Sequence, residues 1–144
     1  MVSPRVLAAI PHRPPFLFID DILEISETNI RCVRTFTHDE PFYQGHYPGN
    51  PVTPGVILCE TIFQAGAILI SGLLDGNIAG IPVVTRVSDV KFSKMILPGD
   101  QVEVEAELTD RIATAFFLKG QIKVGGKTSV RLNFACTLVP GRGE

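Results

Sequence analysis

His46, Glu60 and Gln64 are the residues best suited to chemistry in this chain of 144 residues, which holds three histidines in all. His46 sits in the stretch Gly45-His46-Tyr47-Pro48-Gly49-Asn50-Pro51. Glu60 lies in the apolar run Val56 to Leu74, about one turn from its start, and Gln64 is four residues further on the same helical face. A carboxyl among Ile57, Leu58, Ile62 and Phe63 is costly unless paired, and desolvation there favours its protonated form. Pro54-Gly55-Val56 opens the helix. The first N–H groups of a helix have no intrahelical partner and form the positive end of its dipole. A base, an acid and an anion-stabilising helix start are the parts needed to remove a proton beside a carbonyl and expel a β-leaving group.

On that reading neutral His46 takes the proton, and the N–H of Gly55 holds the charge that develops on the carbonyl oxygen. Glycine lets a substrate approach closely there. Protonated Glu60 donates to the departing hydroxyl, so one base and one acid work in environments that push their titrations apart. The residue types alone leave alternatives open. His46 could be a loop histidine placed by its Gly and Pro neighbours, and Gln64 could simply hydrogen-bond inside the core.

The elements that position these groups read as follows. Pro4 to Ala9 is a short helix stopped by Pro11, Pro14 and Pro15. Phe16 to Ile25 and Asn29 to Thr37 read as strands. Asp39 to Gly55 is a Pro/Gly-rich loop carrying His46, long enough to suggest function. The apolar helix from about Val56 to Leu74 ends near Asp75-Gly76-Asn77. Ile81 to Ile96 is a long strand with a break at Ser88-Asp89, and Pro98-Gly99-Asp100 is a turn. Val102, Val104, Ala106 and Leu108 alternate with Gln101, Glu103, Glu105 and Glu107, the pattern of a strand with one wet face. Thr114 to Val124 and Lys127 to Val139 form a hairpin around Gly125-Gly126. Two strands, one helix and four further strands give an α+β layer with the sheet curved around a helix too apolar for a single covering face.

Composition narrows the function classes. Apolar residues are 45%, charged residues 19% and mean hydropathy is +0.26, which excludes a disordered chain. A net charge of −2 argues against nucleic-acid binding. Val56 to Leu74 approaches the length of a membrane span, but the Glu60 and Gln64 it carries and the lack of flanking Lys or Arg favour a buried helix and no membrane. Cys32, Cys59 and Cys136 form no CxxC pair and read as buried, reduced thiols of a cytoplasmic protein. Low charge in so small a chain suggests surface covered by a partner subunit or a ligand.

Three stretches carry a family resemblance: Ile10-Pro11-His12-Arg13-Pro14-Pro15-Phe16-Leu17-Phe18-Ile19-Asp20, Glu40 to Pro51, and Pro54-Gly55-Val56-Ile57-Leu58-Cys59-Glu60-Thr61-Ile62-Phe63-Gln64. Together with Val90-Lys91-Phe92 and Leu97-Pro98-Gly99-Asp100-Gln101, they closely resemble the FabZ-type (3R)-hydroxyacyl-[acyl-carrier-protein] dehydratases. The resemblance covers nearly the whole chain and implies one domain over residues 1–144 with a hot-dog fold, an antiparallel sheet wrapped around one long helix. It implies dehydration of a (3R)-3-hydroxyacyl thioester to the trans-2-enoyl thioester in fatty acid biosynthesis, with no metal or organic cofactor. It makes His46 the base and Glu60 the acid. Gly55 and Val56 face the thioester carbonyl, and Gln64 is a polar residue beside the site. It implies a homodimer, in some cases a trimer of dimers, with His46 and Glu60 of one site drawn from different subunits. Glu rather than Asp at position 60 favours the FabZ-type reaction over that of the isomerising FabA-type sister enzymes. Thr61-Ile62-Phe63 departs from the small residues common there and bears on acyl chain length.

An acidic acyl carrier protein calls for a basic docking site, for which Arg86, Lys91 and Lys94 are the candidates. His12 and Arg13 read as structural, pinning the approach to the first strand, and His38 as a surface residue. Three competing readings are a hot-dog thioesterase, a dehydratase of a specialised lipid or polyketide pathway, and a catalytically silent hot-dog subunit.

Overall fold

The computed structural model describes residues 1–74 and 80–141. Helix α1, Pro4–Ala9, has Pro at its first position and the Ser3 hydroxyl capping the Val6 N–H. Strands β1, Asp21–Ile25, and β2, Asn29–Thr35, form the first hairpin. A 3-10 turn, Pro41–Gln44, interrupts the loop before helix α2, Gly55–Leu73. Four strands follow: β3, Ile81–Phe92; β4, Gln101–Ile112; β5, Ala115–Val124; and β6, Lys127–Val139. They pair antiparallel in one six-stranded sheet of order β1-β2-β4-β5-β6-β3.

The sheet curves around α2, which contacts β2 through β6. The alternation expected in β4 holds: Val102, Val104 and Ala106 are buried, and Gln101 and Glu103 are exposed. Ile62, Ile68, Leu69 and Ile70 of α2 are at most 2% exposed. Burying each is worth about 1.5–3 kcal/mol relative to leaving it in water, which offsets the weak cap at Pro54. The helix is long and apolar enough to cross a membrane, but it is the core of this layer. Gly120 makes the close approach possible: a Cβ there would run into the Ile62 side chain and sit 3.1 Å from the Glu105 carbonyl. Gly125 and Gly126, at φ 58° and 78°, turn the β5–β6 hairpin as their types require.

Three expectations need correction. Phe16 to Asp20 is not strand: the Gln64 amide donates to the Phe16 carbonyl and accepts the Phe18 N–H, and the backbone reaches β2 at Asp20, whose N–H donates to the Val33 carbonyl. Strand β3 stops at Phe92 rather than Ile96, where the chain folds in to bury Ile96 and the Ser129 hydroxyl takes the Lys94 carbonyl. The expected break at Ser88-Asp89 is present as a register shift between Ser88 and Lys91, with Asp89 at φ 55°, after which the pairing with β6 resumes. Cys32 and Cys136 are buried, but Cys59 is only partly so. The expected helix end at Asp75-Gly76-Asn77 lies outside the described residues.

Candidate active site

The loop that carries His46 is pinned at both flanks. On one side the Arg34 guanidinium, its side chain 10% exposed, bridges Asp20 at 3.1 Å and Glu40 at 2.6 Å and lies over the rings of Phe18 and Phe36. Glu40 also accepts from the Thr37 N–H. On the other side Thr53 is buried, its N–H donates to the Ile96 carbonyl, and its hydroxyl meets the Tyr43 hydroxyl at 2.5 Å. Burial raises the Tyr43 phenol above its ordinary pKa, so this hydroxyl remains a neutral partner.

His46 is partly buried at the tip of this loop, with the Tyr47 ring edge-on at 4.8 Å between centroids. Its Nδ1 lies 2.7 Å from the Val52 carbonyl oxygen. A carbonyl only accepts, so the neutral ring carries its proton on Nδ1 and presents the Nε2 lone pair. The ring is thereby oriented as a base, a detail that residue type could not supply.

Glu60 projects from the second turn of α2. Gln64, fully buried one turn later, donates from Nε2 to Glu60 Oε2 at 3.1 Å and to the Phe16 carbonyl at 3.0 Å, and accepts the Phe18 N–H at 2.7 Å. The amide is fixed at both ends, so it holds one carboxyl oxygen in place. The Glu60 side chain keeps 25% of its surface exposed in the single chain.

At the start of α2, Ile57 and Leu58 donate to the Pro54 carbonyl, while among the described residues the N–H groups of Gly55 and Val56 have no acceptor. Val56 is 77% exposed. The absent side chain of Gly55 leaves room for Phe92, whose ring would stand 3.0 Å from a Cβ at that position. The glycine therefore admits Phe92 of β3 against the helix start, a role the sequence reading assigned to substrate alone.

Arg13 is structural, as expected: its guanidinium gathers the carbonyls of Leu7, Ile10 and His12 where α1 ends. His12 is different. Its Nε2 lies 3.8 Å from Glu60 Oε2. The sequence reading missed this proximity, since His12 and Glu60 belong to separate stretches and only the packing of the Pro-rich segment against α2 joins them. His38 is exposed beside Gly99. Thr61 and Ile62 are fully buried, and the Phe63 ring packs 5.2 Å from that of Phe134. Arg86, Lys91 and Lys94 are all exposed. Arg86 pairs opposite Ala135 and Lys91 opposite Arg131, while Lys94 follows the end of β3. His46 thus comes from the loop, Glu60 and Gln64 from α2, and the three cations from β3 and the segment that follows it.

Residues 10–133 match the FabA-like domain family. The chain is 39% identical to the 3-hydroxyacyl-[acyl-carrier-protein] dehydratase FabZ of Caulobacter vibrioides over 140 residues, covering 94% of this chain and 86% of that one. It is 35% identical to the enzyme of the same name from Streptococcus pyogenes over 134 residues, covering 92% and 96%. In fold it is similar to the dehydratase heterocomplex ApeI:P from Xenorhabdus doucetiae, with a TM-score of 0.79 at 16% identity over 93% of this chain and 90% of that chain. With a six-stranded sheet around one helix, and a match that runs through both the His46 loop and α2, this chain belongs to the FabZ-type 3-hydroxyacyl-[acyl-carrier-protein] dehydratases, the hot-dog hydro-lyases of fatty acid biosynthesis.

Proposed function

We propose that the chain removes water from a (3R)-3-hydroxyacyl group carried on acyl carrier protein, yielding the trans-2-enoyl thioester, with His46 as base and Glu60 as acid. His46 Nε2 takes the α-proton, and the Gly55 N–H, with Val56 beside it, receives the thioester oxygen as it gains charge. The C–H electron pair forms the double bond, the C–O bond breaks, and Glu60 supplies the proton that lets the hydroxyl leave as water. The observation that carries this reading is the bond from His46 Nδ1 to Val52, which leaves a base at Nε2.

The active unit on this reading is a homodimer, with a trimer of dimers as the larger form. Support comes from β3, a twelve-residue edge strand with Ile81, Val83, Val87, Val90 and Phe92 all more than 40% exposed. A long apolar edge invites a second strand. A second copy there covers Phe92 and the helix start it packs against, and brings the partner's His46 to Glu60. The carrier docks on Arg86, Lys91 and Lys94. Lys91 stands directly opposite Arg131, a like-charged cross-strand pair that costs stability unless an anion is near. The reading treats residues 1–144 as one dehydratase domain working in the cytoplasm.

The test is enoyl absorbance after addition of a 3-hydroxyacyl thioester. His46→Ala and Glu60→Gln should each lower the rate about a hundredfold or more. Equal rates in the wild type and both variants refute the assignment, and release of free thiol in place of enoyl product identifies a thioesterase. Arg86→Glu with Lys94→Glu should slow carrier-linked substrate far more than a small thioester analogue. Equal losses on both refute the docking site.

A further inference from the structure

His12 is the one histidine near the site that this mechanism leaves without a task. Its Nε2 lies 3.8 Å from Glu60 Oε2, the oxygen that already accepts from Gln64. Its Nδ1 is buried with no hydrogen-bond partner among the described residues. The backbone that carries the ring is fixed on both sides. Arg13 holds the carbonyls of Leu7, Ile10 and His12, and Gln64 holds Phe16 and Phe18. Arg13 and the Ile10 N–H, which bonds the Val6 carbonyl, thus close α1 without the imidazole, so pinning the segment does not account for it.

We propose that His12 is a positioning residue for Glu60, its Nε2–H being a second donor to Oε2; the inference rests on the reading of Glu60 as the acid. Two donors on one oxygen make it the carbonyl oxygen of the protonated carboxyl. The acidic proton is then on Oε1, the oxygen free to face the departing hydroxyl. When Oε1–H breaks and the proton leaves with the hydroxyl as water, Glu60 becomes a carboxylate and both donors to Oε2 become charge-assisted. The His12 contact therefore strengthens as the reaction proceeds, which is the condition for lowering a barrier. A separation of 3.8 Å before substrate binds is consistent with a catalytic hydrogen bond that tightens in the complex. The Nε2–H tautomer also follows from the other nitrogen, because a proton on Nδ1 would be a buried donor without an acceptor.

The test compares His12→Gln, His12→Asn and His12→Phe with the wild type on a 3-hydroxyacyl thioester. The Gln amide nitrogen can reach the position of Nε2, and the shorter Asn amide cannot. His12→Phe and His12→Asn should lower kcat about ten- to a hundredfold with KM within twofold, and His12→Gln should restore most of the loss. A folded His12→Phe enzyme with kcat within twofold of the wild type overturns the proposal, as does a Gln variant no better than Asn. If the Phe variant does not fold, the Gln and Asn comparison decides. A second readout needs no turnover: nitrogen NMR of the His12 ring should show the Nε2–H tautomer, and the Nδ1–H tautomer overturns the proposal. A wild type that makes no enoyl product refutes the dehydratase reading instead, and the ring tautomer still reports on His12.

Discussion

Replacing Gln64 by Met keeps the shape and volume of the side chain and removes its hydrogen bonds without opening a cavity. The cost can be worked from its partners. The Phe18 N–H, bonded at 2.7 Å in the buried interior, loses its acceptor and pays a full desolvation penalty of about 1–3 kcal/mol. The Phe16 carbonyl, bonded at 3.0 Å in a partly buried setting, pays about half of that. Glu60 loses a donor but keeps access to water. The expected loss is about 2–4 kcal/mol out of the 5–15 typical of a domain, or about 4–16 °C in Tm. Urea unfolding at one fixed protein concentration measures it, since subunit association adds to stability. Turnover should also fall, because Glu60 loses its fixed orientation while His46 is untouched. A variant within 0.5 kcal/mol of the wild type, or one with unchanged kcat, would refute the claim that one buried amide holds both the segment before β1 and the acid.

Arg34→Met should destabilise the fold by about 3–5 kcal/mol, because Asp20 and Glu40 are left as unpaired, largely buried carboxylates; calorimetry reads this directly. Gly120→Ala should cost about 1–3 kcal/mol through its collision with Ile62, and denaturation of the double variant with Ile62→Ala should show a loss smaller than the sum of the two. Burial pushes the Cys32 thiol up to about 12 and the Cys136 thiol to about 11, from an ordinary 9.0. Above pH 9 the unfolded chain gives up these protons while the folded chain keeps them. Stability should therefore fall as pH rises from 9 toward 11–12, by about 1.4 kcal/mol per pH unit for each thiol. Unfolding curves of a Cys32→Ala, Cys136→Ala protein over that range should be flatter, and an unchanged slope counts against the assignment.

The parts of the fold that were legible in the sequence are those set by local pattern. The period-two alternation of Val102 to Leu108 placed β4, and the Gly125-Gly126 pair placed the last hairpin. The long, mostly apolar run after Pro54 marked a helix covered on more than one side. Phe16 to Asp20 misled because it has strand-like residue types. The amide of Gln64 donates to the Phe16 carbonyl and accepts the Phe18 N–H, and a side chain from so distant a position leaves no period to read. The end of β3 misled for a related reason, since Ile96 is apolar in order to fill the core beside Thr53 rather than to extend the strand.

For the site, residue type and spacing marked His46, Glu60 and Gln64 as candidates, because a polar group in an apolar helix is costly unless paired, while the roles given to them came with the family resemblance. What only the tertiary structure decided is how those groups are aimed. The Val52 carbonyl selects the His46 tautomer. The Phe18 N–H and the Phe16 carbonyl select the orientation of Gln64 and, through it, the oxygen of Glu60 that is held. The packing of residues 10–16 on α2 brings His12 beside the acid, and the strand order leaves β3 at an apolar edge. These are contacts between segments far apart in the chain. They are chosen by which surfaces can be buried together, and a local sequence pattern carries no record of that.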